Sequence, residues 1–216
     1  MSDDLAARFA GIPTALVTDA FLRLGLAGWM DEVLPLARGM RVAGRARTLA
    51  YGPVGAAPKL TASTYQVISQ IAPGEILVVG AGGTHDNLFG DNGIAFAQRQ
   101  GLGGLVTDSK TRDREGMREL GFPVFSRGAA TRPPVEVEPQ AFDSPIECGG
   151  VPVSPGDIIV GDDDGIVVVP AARAADVLYQ IEDLADLEDA VGEVIARGGS
   201  VVEIEAAVAR KKLLRP

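Results

Sequence analysis

The residues of this chain that could do chemistry are two aspartates and one arginine at a particular spacing. Asp91 is followed by twenty residues and then by the pair Arg112 and Asp113. Carboxylate oxygens hold hard divalent cations, and a guanidinium binds a substrate carboxylate through two parallel hydrogen bonds. If the fold brings these three side chains together, they form a site for a small 2-oxo acid bound to a metal ion.

The elements predicted around these residues place them at one edge of a sheet. A buried strand over residues 75–79 precedes Asp91, and a strand over residues 105–107 precedes Arg112. Ligands of open α/β sheets gather beyond the carboxyl ends of the strands, so the two loops meet if the strands are parallel neighbours. The helix over residues 92–100 would add backbone amides that favour an anion at the same edge.

Each of the three residues also has a purely structural explanation. Asp91 stands in N-cap position for the helix over residues 92–100, and Asp113 in N-cap position for a helix over Arg114–Leu120. Arg112 is equally explained as a surface cation in a salt bridge worth roughly 0–1 kcal/mol. Spacing alone leaves both explanations open.

Other reactive residues offer weaker sites. His85 is the only histidine of the chain, so it is the one possible base for Ser-His-Asp catalysis, although a role in the loop is the more frequent one. Lys110 could form a Schiff base with a keto acid, but a solvated lysine is more common. The aspartates at 162–164 invite a calcium site, yet apolar runs flank them and Gly165 follows, which predicts a hairpin turn.

The remaining pattern predicts a single α/β domain over residues 1–216, with a C-terminal helical segment from about residue 171. Helices are expected over residues 5–10, 14–24, 59–71, 92–100, 114–120 and 173–197, and strands over residues 41–51, 75–79, 105–107, 123–126, 158–160 and 166–169. The helix over residues 173–197 carries one apolar stripe, so it lies on its own sheet or on a neighbouring subunit. Ser200 and Glu203 form a capping box that opens a final helix.

Composition narrows the classes of function. The net charge of −9 argues against a nucleic-acid partner, and the apolar runs are too short to span a membrane. A single cysteine, Cys148, excludes a disulfide within the chain and favours a cytoplasmic location. The acidic start Met1-Ser2-Asp3-Asp4 lacks the features of a signal peptide.

Residues 90–128 resemble the RraA-like family, which includes the class II 4-hydroxy-4-methyl-2-oxoglutarate/4-carboxy-4-hydroxy-2-oxoadipate aldolases. The resemblance is carried by Gly90-Asp91, the twenty-residue gap, Arg112-Asp113 and residues 118–125, and more weakly by residues 17–25 and 155–170. It implies a three-layer β/β/α sandwich with a long C-terminal helix. It also implies assembly as a homotrimer or homohexamer.

The same resemblance implies a metal-dependent lyase. Such an enzyme uses Mg²⁺ or Mn²⁺ to cleave 4-hydroxy-2-oxo acids by a retro-aldol reaction that gives pyruvate, with oxaloacetate decarboxylation as a side activity. By resemblance, Arg112 binds the pyruvyl carboxylate and Asp113 ligates the metal. Asp91 acts through a metal-bound water, and the loop of Gly90, Asp91, Asn92 and Gly93 contacts the substrate.

The chain departs from the aldolase pattern at three positions. Asn92 and Gly93 stand where aldolases usually carry larger apolar residues, and Ser109 stands where glycine is usual. The family also holds non-catalytic regulators that bind a ribonuclease, which tend to lack the first acid, whereas this chain keeps Asp91. A third alternative is an enzyme of the same scaffold that acts on another, sugar-derived acid.

Overall fold

The fold, taken from a computed structural model that describes residues 5–215, is an α/β structure built around one strongly curved sheet. The start Met1-Ser2-Asp3-Asp4, from which we expected no signal peptide, lies outside the described residues. The strands are β1 (Leu34–Pro35), β2 (Val42–Pro53), β3 (Ile76–Gly80), β4 (Asn87–Phe89), β5 (Gly104–Thr107), β6 (Lys110–Thr111), β7 (Val124–Ser126), β8 (Val137–Phe142), β9 (Ile146–Cys148), β10 (Val151–Val153), β11 (Ile158–Asp162) and β12 (Gly165–Val169). The helices are α1 (Thr14–Leu24), α2 (Thr64–Ile68), α3 (Asp91–Arg99), α4 (Arg114–Leu120), α5 (Ala174–Ala196) and α6 (Val201–Arg210).

The large sheet has eight strands and almost closes on itself. Its order is β1-β7-β5-β3-β2-β11-β12, and β8 also pairs with β2. The neighbours β2, β3, β5 and β7 are parallel, while β11 and β12 form the predicted antiparallel hairpin. The two ends approach each other, because the Met30 N–H, which lies before β1, donates to the Ile166 carbonyl in β12 at 2.9 Å.

Side chains that alternate in direction along each strand divide the hydrophobic core into layers. In β3, Ile76 and Val78 face the inside of the curved sheet, whereas Leu77 and Val79 face the layer of helices α2, α3 and α4. Successive side chains of a strand point to opposite faces, so a fully apolar strand must be covered on both. The inner layer lies between the two halves of the curved sheet, and this arrangement matches the predicted β/β/α architecture.

The long C-terminal helix lies on its own sheet. Val177, Ile181 and Leu184 of α5 are buried against β11, β12 and α1. The first half of the apolar stripe of α5 therefore lies on the chain's own sheet, one of the two places that the sequence had left open. The final helix α6 opens with the predicted capping box at Ser200 and buries none of its residues. Within residues 5–215, no helix has both the length and the apolar character needed to cross a membrane.

Two details of the sequence-based prediction were wrong for a shared reason. The helix expected over residues 59–71 shrinks to α2, because the Leu60 N–H donates to the Pro139 carbonyl and holds this stretch beside β8. The short strands β4 and β6 were not expected at all. Both errors come from backbone pairing between segments far apart in the chain, which carries no local periodic signal.

Candidate active site

The two loops that carry the candidate residues begin next to each other, at the ends of two short paired parallel strands. In the two-stranded sheet of β4 and β6, Phe89 is the partner of Thr111. The Arg112 N–H extends this pairing and donates to the Phe89 carbonyl at 3.1 Å. Gly90-Asp91 and Arg112-Asp113 therefore follow directly after paired residues, which brings the two halves of the motif to the same place.

One cleft of about 230 Å³ is lined by all the residues predicted to form the site. Its walls contain Gly90, Asp91, Asn92, Gly93, Arg112 and Asp113, together with Thr64, Tyr65, Leu88 and Phe89. The chemical roles assigned to them by resemblance stay predictions. The structure shows that they share one open, water-accessible space.

Asp113 and Arg112 form an exposed ion pair at this cleft. The Arg112 Nε lies 3.2 Å from the Asp113 Oδ2, and their side chains are 56% and 44% exposed. Asp113 occupies the N-cap position of α4, but its side chain accepts no capping hydrogen bond. Its backbone is left-handed, with a φ of 54°, a conformation that aspartate adopts more often than most residues. Capping therefore does not account for its carboxylate.

Asp91 is the first residue of α3, so our assignment of Asp91 as the N-cap was wrong by one position and Gly90 is the N-cap. The Asp91 Oδ1 accepts a hydrogen bond from the Asn92 N–H at 2.7 Å. Its Oδ2 lies over Gly116 of α4, 3.0 Å from where a side-chain carbon of residue 116 would stand. One oxygen thus stabilises the first turn of α3, while the carboxylate still borders the cleft.

The donor set of the cleft fits a hard divalent cation. Mg²⁺ is usually bound by one or two carboxylates, with water and substrate oxygens completing its shell. Asp113 and Asp91 supply two carboxylates from adjacent loops. Among residues 5–215, no three His, Cys, Asp or Glu side chains are arranged so that they could hold a metal ion together, so water and substrate would have to complete the shell. A cation here would be held by Asp113, with Asp91 bordering the same cleft.

The weaker candidates lie elsewhere. His85 is exposed in the loop before β4, and Lys110 is half-buried in β6, and neither lines this cleft. Ser109 is fully buried, and its hydroxyl lies 2.9 Å from the hydroxyl of Thr107, so this departure from the family pattern affects the interior. Asn92 and Gly93, the other departures, do line the cleft.

Cys148 is buried and chemically quiet. Burial raises the pKa of its thiol, and the nearby charge of Asp108 raises it further. The Sγ lies 3.5 Å from the Val79 carbonyl, to which it donates. Because the thiolate is the reactive form of cysteine, this environment makes Cys148 unreactive.

The wall of the cleft formed by Thr64 and Tyr65 was not expected from the sequence. Tyr65 is 50% exposed, and its ring packs edge-on against Phe96 of α3 with a centroid distance of 5.3 Å. The capping box of Ser63 and Gln66 would have indicated a helix start at this point. No local signal shows that α2 packs beside α3, which is what brings Tyr65 to the site.

Comparison with known proteins agrees with this fold. Residues 14–168 match the family model described as RraA-like, Aldolase/RraA. Over 178 residues the chain is 33% identical to a protein of Halalkalibacterium halodurans provisionally named 4-hydroxy-4-methyl-2-oxoglutarate aldolase, a match that covers 82% of this chain and 81% of that protein.

Two solved structures extend the similarity to three dimensions. An uncharacterized protein from Pseudomonas syringae pv. tomato superposes with a TM-score of 0.81 at 28% identity, covering 94% of this chain and 96% of that one. RraAS2 of Streptomyces coelicolor, an unusual member of the RNase ES inhibitor RraA protein family, superposes with a TM-score of 0.78 at 31% identity, covering 89% and 97%. On the family match and these likenesses, the chain belongs to the RraA-like family.

Proposed function

We propose that this protein is a divalent-metal-dependent lyase that cleaves 4-hydroxy-2-oxo acids by a retro-aldol reaction and releases pyruvate. The observation that carries the proposal is the meeting of Asp91 with Arg112 and Asp113 at one cleft, directly after the paired strands β4 and β6. Its similarity to the provisionally named aldolase supports the same reaction.

Arg112 holds and orients the substrate in this proposal. Its side chain is 56% exposed at the cleft, and a guanidinium binds a carboxylate with two parallel hydrogen bonds. In the proposed complex the pyruvyl carboxylate therefore lies beside Arg112, and the 2-oxo group faces Asp113. Asp113 is the residue that would hold Mg²⁺ or Mn²⁺. When bound, this ion supplies Lewis-acid stabilisation of the negative charge that develops on the 2-oxo group.

Asp91 is the proposed acceptor of the proton from the 4-hydroxyl group. Its Oδ1 is engaged by the Asn92 N–H, so the proton would pass through an ordered water at the other oxygen. Loss of that proton lets the bond between C3 and C4 break. The C4 oxygen becomes the carbonyl oxygen of the second product, the bonding pair stays on C3 of the pyruvyl fragment, and a proton delivered to C3 from water gives pyruvate. Decarboxylation of oxaloacetate leaves the same charge on the same fragment, which is why we propose it as a side activity.

A second candidate function is a non-catalytic regulator that binds a ribonuclease. The observation that favours it is the likeness to RraAS2 of Streptomyces coelicolor, at 31% identity and a TM-score of 0.78. A same-scaffold enzyme for another, sugar-derived acid is the third. In each case we expect a homotrimer or homohexamer, from the family resemblance, and a cytoplasmic location, because the chain has a single cysteine.

A coupled pyruvate assay separates these candidates. The wild-type protein is offered several 4-hydroxy-2-oxo acids and oxaloacetate, with Mg²⁺ and after chelation. We expect Mg²⁺-dependent pyruvate release that Arg112→Ala abolishes, while Arg118→Ala, which removes an exposed arginine of the same region, retains it. No pyruvate above background from any of these acids, or full activity of Arg112→Ala, would refute the lyase proposal.

A further inference from the structure

An exposed aromatic ring forms part of the wall of the candidate active-site cleft. Tyr65 of α2 lines this cleft together with Arg112 and Asp113, and half of its surface is open to solvent. Burial of apolar surface is favourable, and aromatic rings offer more of it than most side chains. A ligand held at the cleft by its carboxylate therefore has an apolar surface within the same space.

The Tyr65 ring is held in place by Phe96 of α3. The two ring centroids lie 5.3 Å apart, and the ring planes are 79° from parallel. In such a T-shaped pair the edge of one ring meets the face of the other, so Phe96 leaves at least one face of Tyr65 uncovered. Among residues 5–215, the Tyr65 hydroxyl has no hydrogen-bond partner. The ring, rather than the hydroxyl, is therefore what fixes this side chain.

The helix α3 leaves open space beside this pair of rings at Gly93. Gly93 and Phe96 are three residues apart in α3, so they lie on the same side of the helix. A side-chain carbon built on residue 93 would come within 4 Å of Phe89 alone, at the ordinary contact distance of 3.7 Å from its Cδ1. Residue 93 therefore leaves room next to Tyr65 that a ligand can occupy.

The charges of this cleft leave none for a second carboxylate of the substrate. Among the described residues that line it, the charged ones are Asp91, Arg112 and Asp113, which together carry one net negative charge. A bound divalent cation changes this to one net positive charge, and the pyruvyl carboxylate neutralises it. A second carboxylate would lose water without gaining a cationic partner here, which is costly.

We propose that Tyr65 determines substrate specificity by stacking on an uncharged, apolar or aromatic group at C4 of the substrate. This inference rests on the proposed function, in which Arg112 holds the pyruvyl carboxylate. The preferred substrates are then 4-hydroxy-2-oxo acids with a single carboxylate, and the second product of their cleavage is an uncharged aldehyde or ketone. Tyr65 moves no proton in this reaction, so its contribution is measured in binding.

The test compares three acids that differ in one group at C4. 2-Oxopentanoate carries a methyl group there, 2-oxo-4-phenylbutanoate a phenyl group, and 2-oxoglutarate a carboxylate. All lack the 4-hydroxyl group needed for cleavage, so their affinities are measured by titration calorimetry in excess Mg²⁺. We expect wild-type protein to bind the phenyl acid roughly tenfold more tightly than the methyl acid, because an aromatic pair adds to the burial of the ring. 2-Oxoglutarate should bind no more tightly than 2-oxopentanoate.

Variants of Tyr65 then assign the preference to its ring. Tyr65→Ala should bring the ratio of the phenyl and methyl affinities close to one, whereas Tyr65→Phe should keep the wild-type ratio because the ring remains. Tyr179→Ala removes a similarly exposed tyrosine from α5 that does not line this cleft, so it should leave the ratio unchanged. Circular dichroism melts show whether each variant is folded.

Variants of Gly93 test the space beside the ring independently. Gly93→Leu places a large side chain there and should reduce the phenyl preference at least about threefold, since the ligand and the leucine compete for the same space. Gly93→Ala adds a carbon that fits at ordinary contact distance and should keep the preference. If Tyr65→Ala does not fold, the ratio in Gly93→Leu decides.

The outcomes separate this inference from the proposed function. Equal wild-type affinities for the phenyl and methyl acids, tighter binding of 2-oxoglutarate than of both, or a wild-type ratio in Tyr65→Ala would each overturn the role of Tyr65. If Arg112→Ala weakens all three acids alike in those cases, the proposed function stands without this role. If wild-type protein binds none of the acids, the pyruvyl site itself is wrong and both proposals fail.

Discussion

Gly90 lies directly against the carboxylate of Asp113. A side-chain carbon built on residue 90 would stand 2.6 Å from the Asp113 Oδ2 and 3.2 Å from the Arg112 Nε. Both distances are shorter than ordinary contacts. The absence of a side chain at residue 90 is therefore a condition for the ion pair to occupy its present place beside the loop that carries Asp91.

This relationship predicts that Gly90→Ala damages activity more than stability. The added methyl group displaces the ends of two exposed side chains, which move without disturbing the core, so we expect a melting temperature close to that of the wild type. Pyruvate release should fall by at least about tenfold, since displacement of a substrate-positioning residue by about 1 Å can cost a hundredfold. Steady-state kinetics and thermal melts measure the two effects.

The matched control for Gly90→Ala is Gly192→Ala in the middle of α5. A side-chain carbon at residue 192 meets no atom within 4 Å, and alanine is favoured over glycine inside a helix by about 0.8–1 kcal/mol. This variant should be slightly more stable and fully active. Equal losses of activity in both variants would contradict the importance of the space at Gly90.

Asp113→Asn should weaken the binding of Mg²⁺. The amide keeps the size of the side chain and removes the charge that a hard cation requires. We expect the Mg²⁺ concentration at half-maximal activity to rise by about tenfold or more, and calorimetric titration with Mg²⁺ alone should show the same loss. Glu119→Gln neutralises an exposed carboxylate on the same helix and serves as the control. Unchanged Mg²⁺ affinity in Asp113→Asn would remove Asp113 from the metal site.

Asp162 should make stability depend on pH at the acidic end. This residue is buried and caps α1 from the neighbouring hairpin, because its carboxylate accepts from the Thr14 N–H at 2.9 Å and from the Thr14 hydroxyl at 2.7 Å. Burial acts to raise the pKa of Asp162, but the hydrogen bonds from Thr14 and Asp164 outweigh it, and the pKa is lowered.

A carboxyl group whose pKa is lowered by folding stabilises the native state fully above its unfolded pKa of about 3.9. That contribution is lost as the pH falls through the lower native value. Asp162→Asn should therefore cost about 1–2 kcal/mol at pH 7, as the loss of a helix cap does, and less as the pH drops below about 4. Urea unfolding across this pH range measures the difference. A difference between the two proteins that grows on acidification would contradict the assignment.

Arg23 should be one of the most sensitive residues for stability. Its side chain is 1% exposed, and its Nη1 donates to the Asp183 Oδ2 at 2.8 Å, while its Nε donates to the Lys211 carbonyl at 2.7 Å. Arg23→Met leaves Asp183, whose side chain is 34% exposed, and the Lys211 carbonyl without this partner. The loss of hydrogen bonds to a charged group costs about 1.5–3 kcal/mol. Denaturant unfolding measures the free energy of unfolding of the variant. A decrease below about 1 kcal/mol would show that α1, α5 and the segment after α6 pack together without the Arg23 guanidinium.

Elements with local signals were predicted well. The helix α4 spans the predicted Arg114–Leu120 and ends at the left-handed Gly121, because a glycine stop acts within one turn of chain. The hairpin of β11 and β12 follows from an apolar run on each side of an aspartate-glycine turn. The first part of the apolar stripe of α5 is likewise buried as predicted, at Val177, Ile181, Leu184 and Leu187.

Elements that depend on distant partners were not predictable in this way. The strands β4 and β6 have three and two residues, too few for any alternation to be recognised. They exist because each satisfies the backbone groups of the other. The cleft of about 710 Å³ that is lined by Thr111, Arg112 and Ala129 has a similar origin, since it needs Thr111 and Ala129 to meet across the molecule.

The sequence by itself determined the reactive groups, their spacing, the helices with clear caps and the family of the protein, because residue type and neighbour identity act over a few positions of chain. The tertiary structure alone decided that Asp91 borders the same cleft as Asp113 and that Gly90 lies directly against the Asp113 carboxylate. These are distances between atoms, and such distances follow from packing and pairing between segments that the linear order of residues keeps apart.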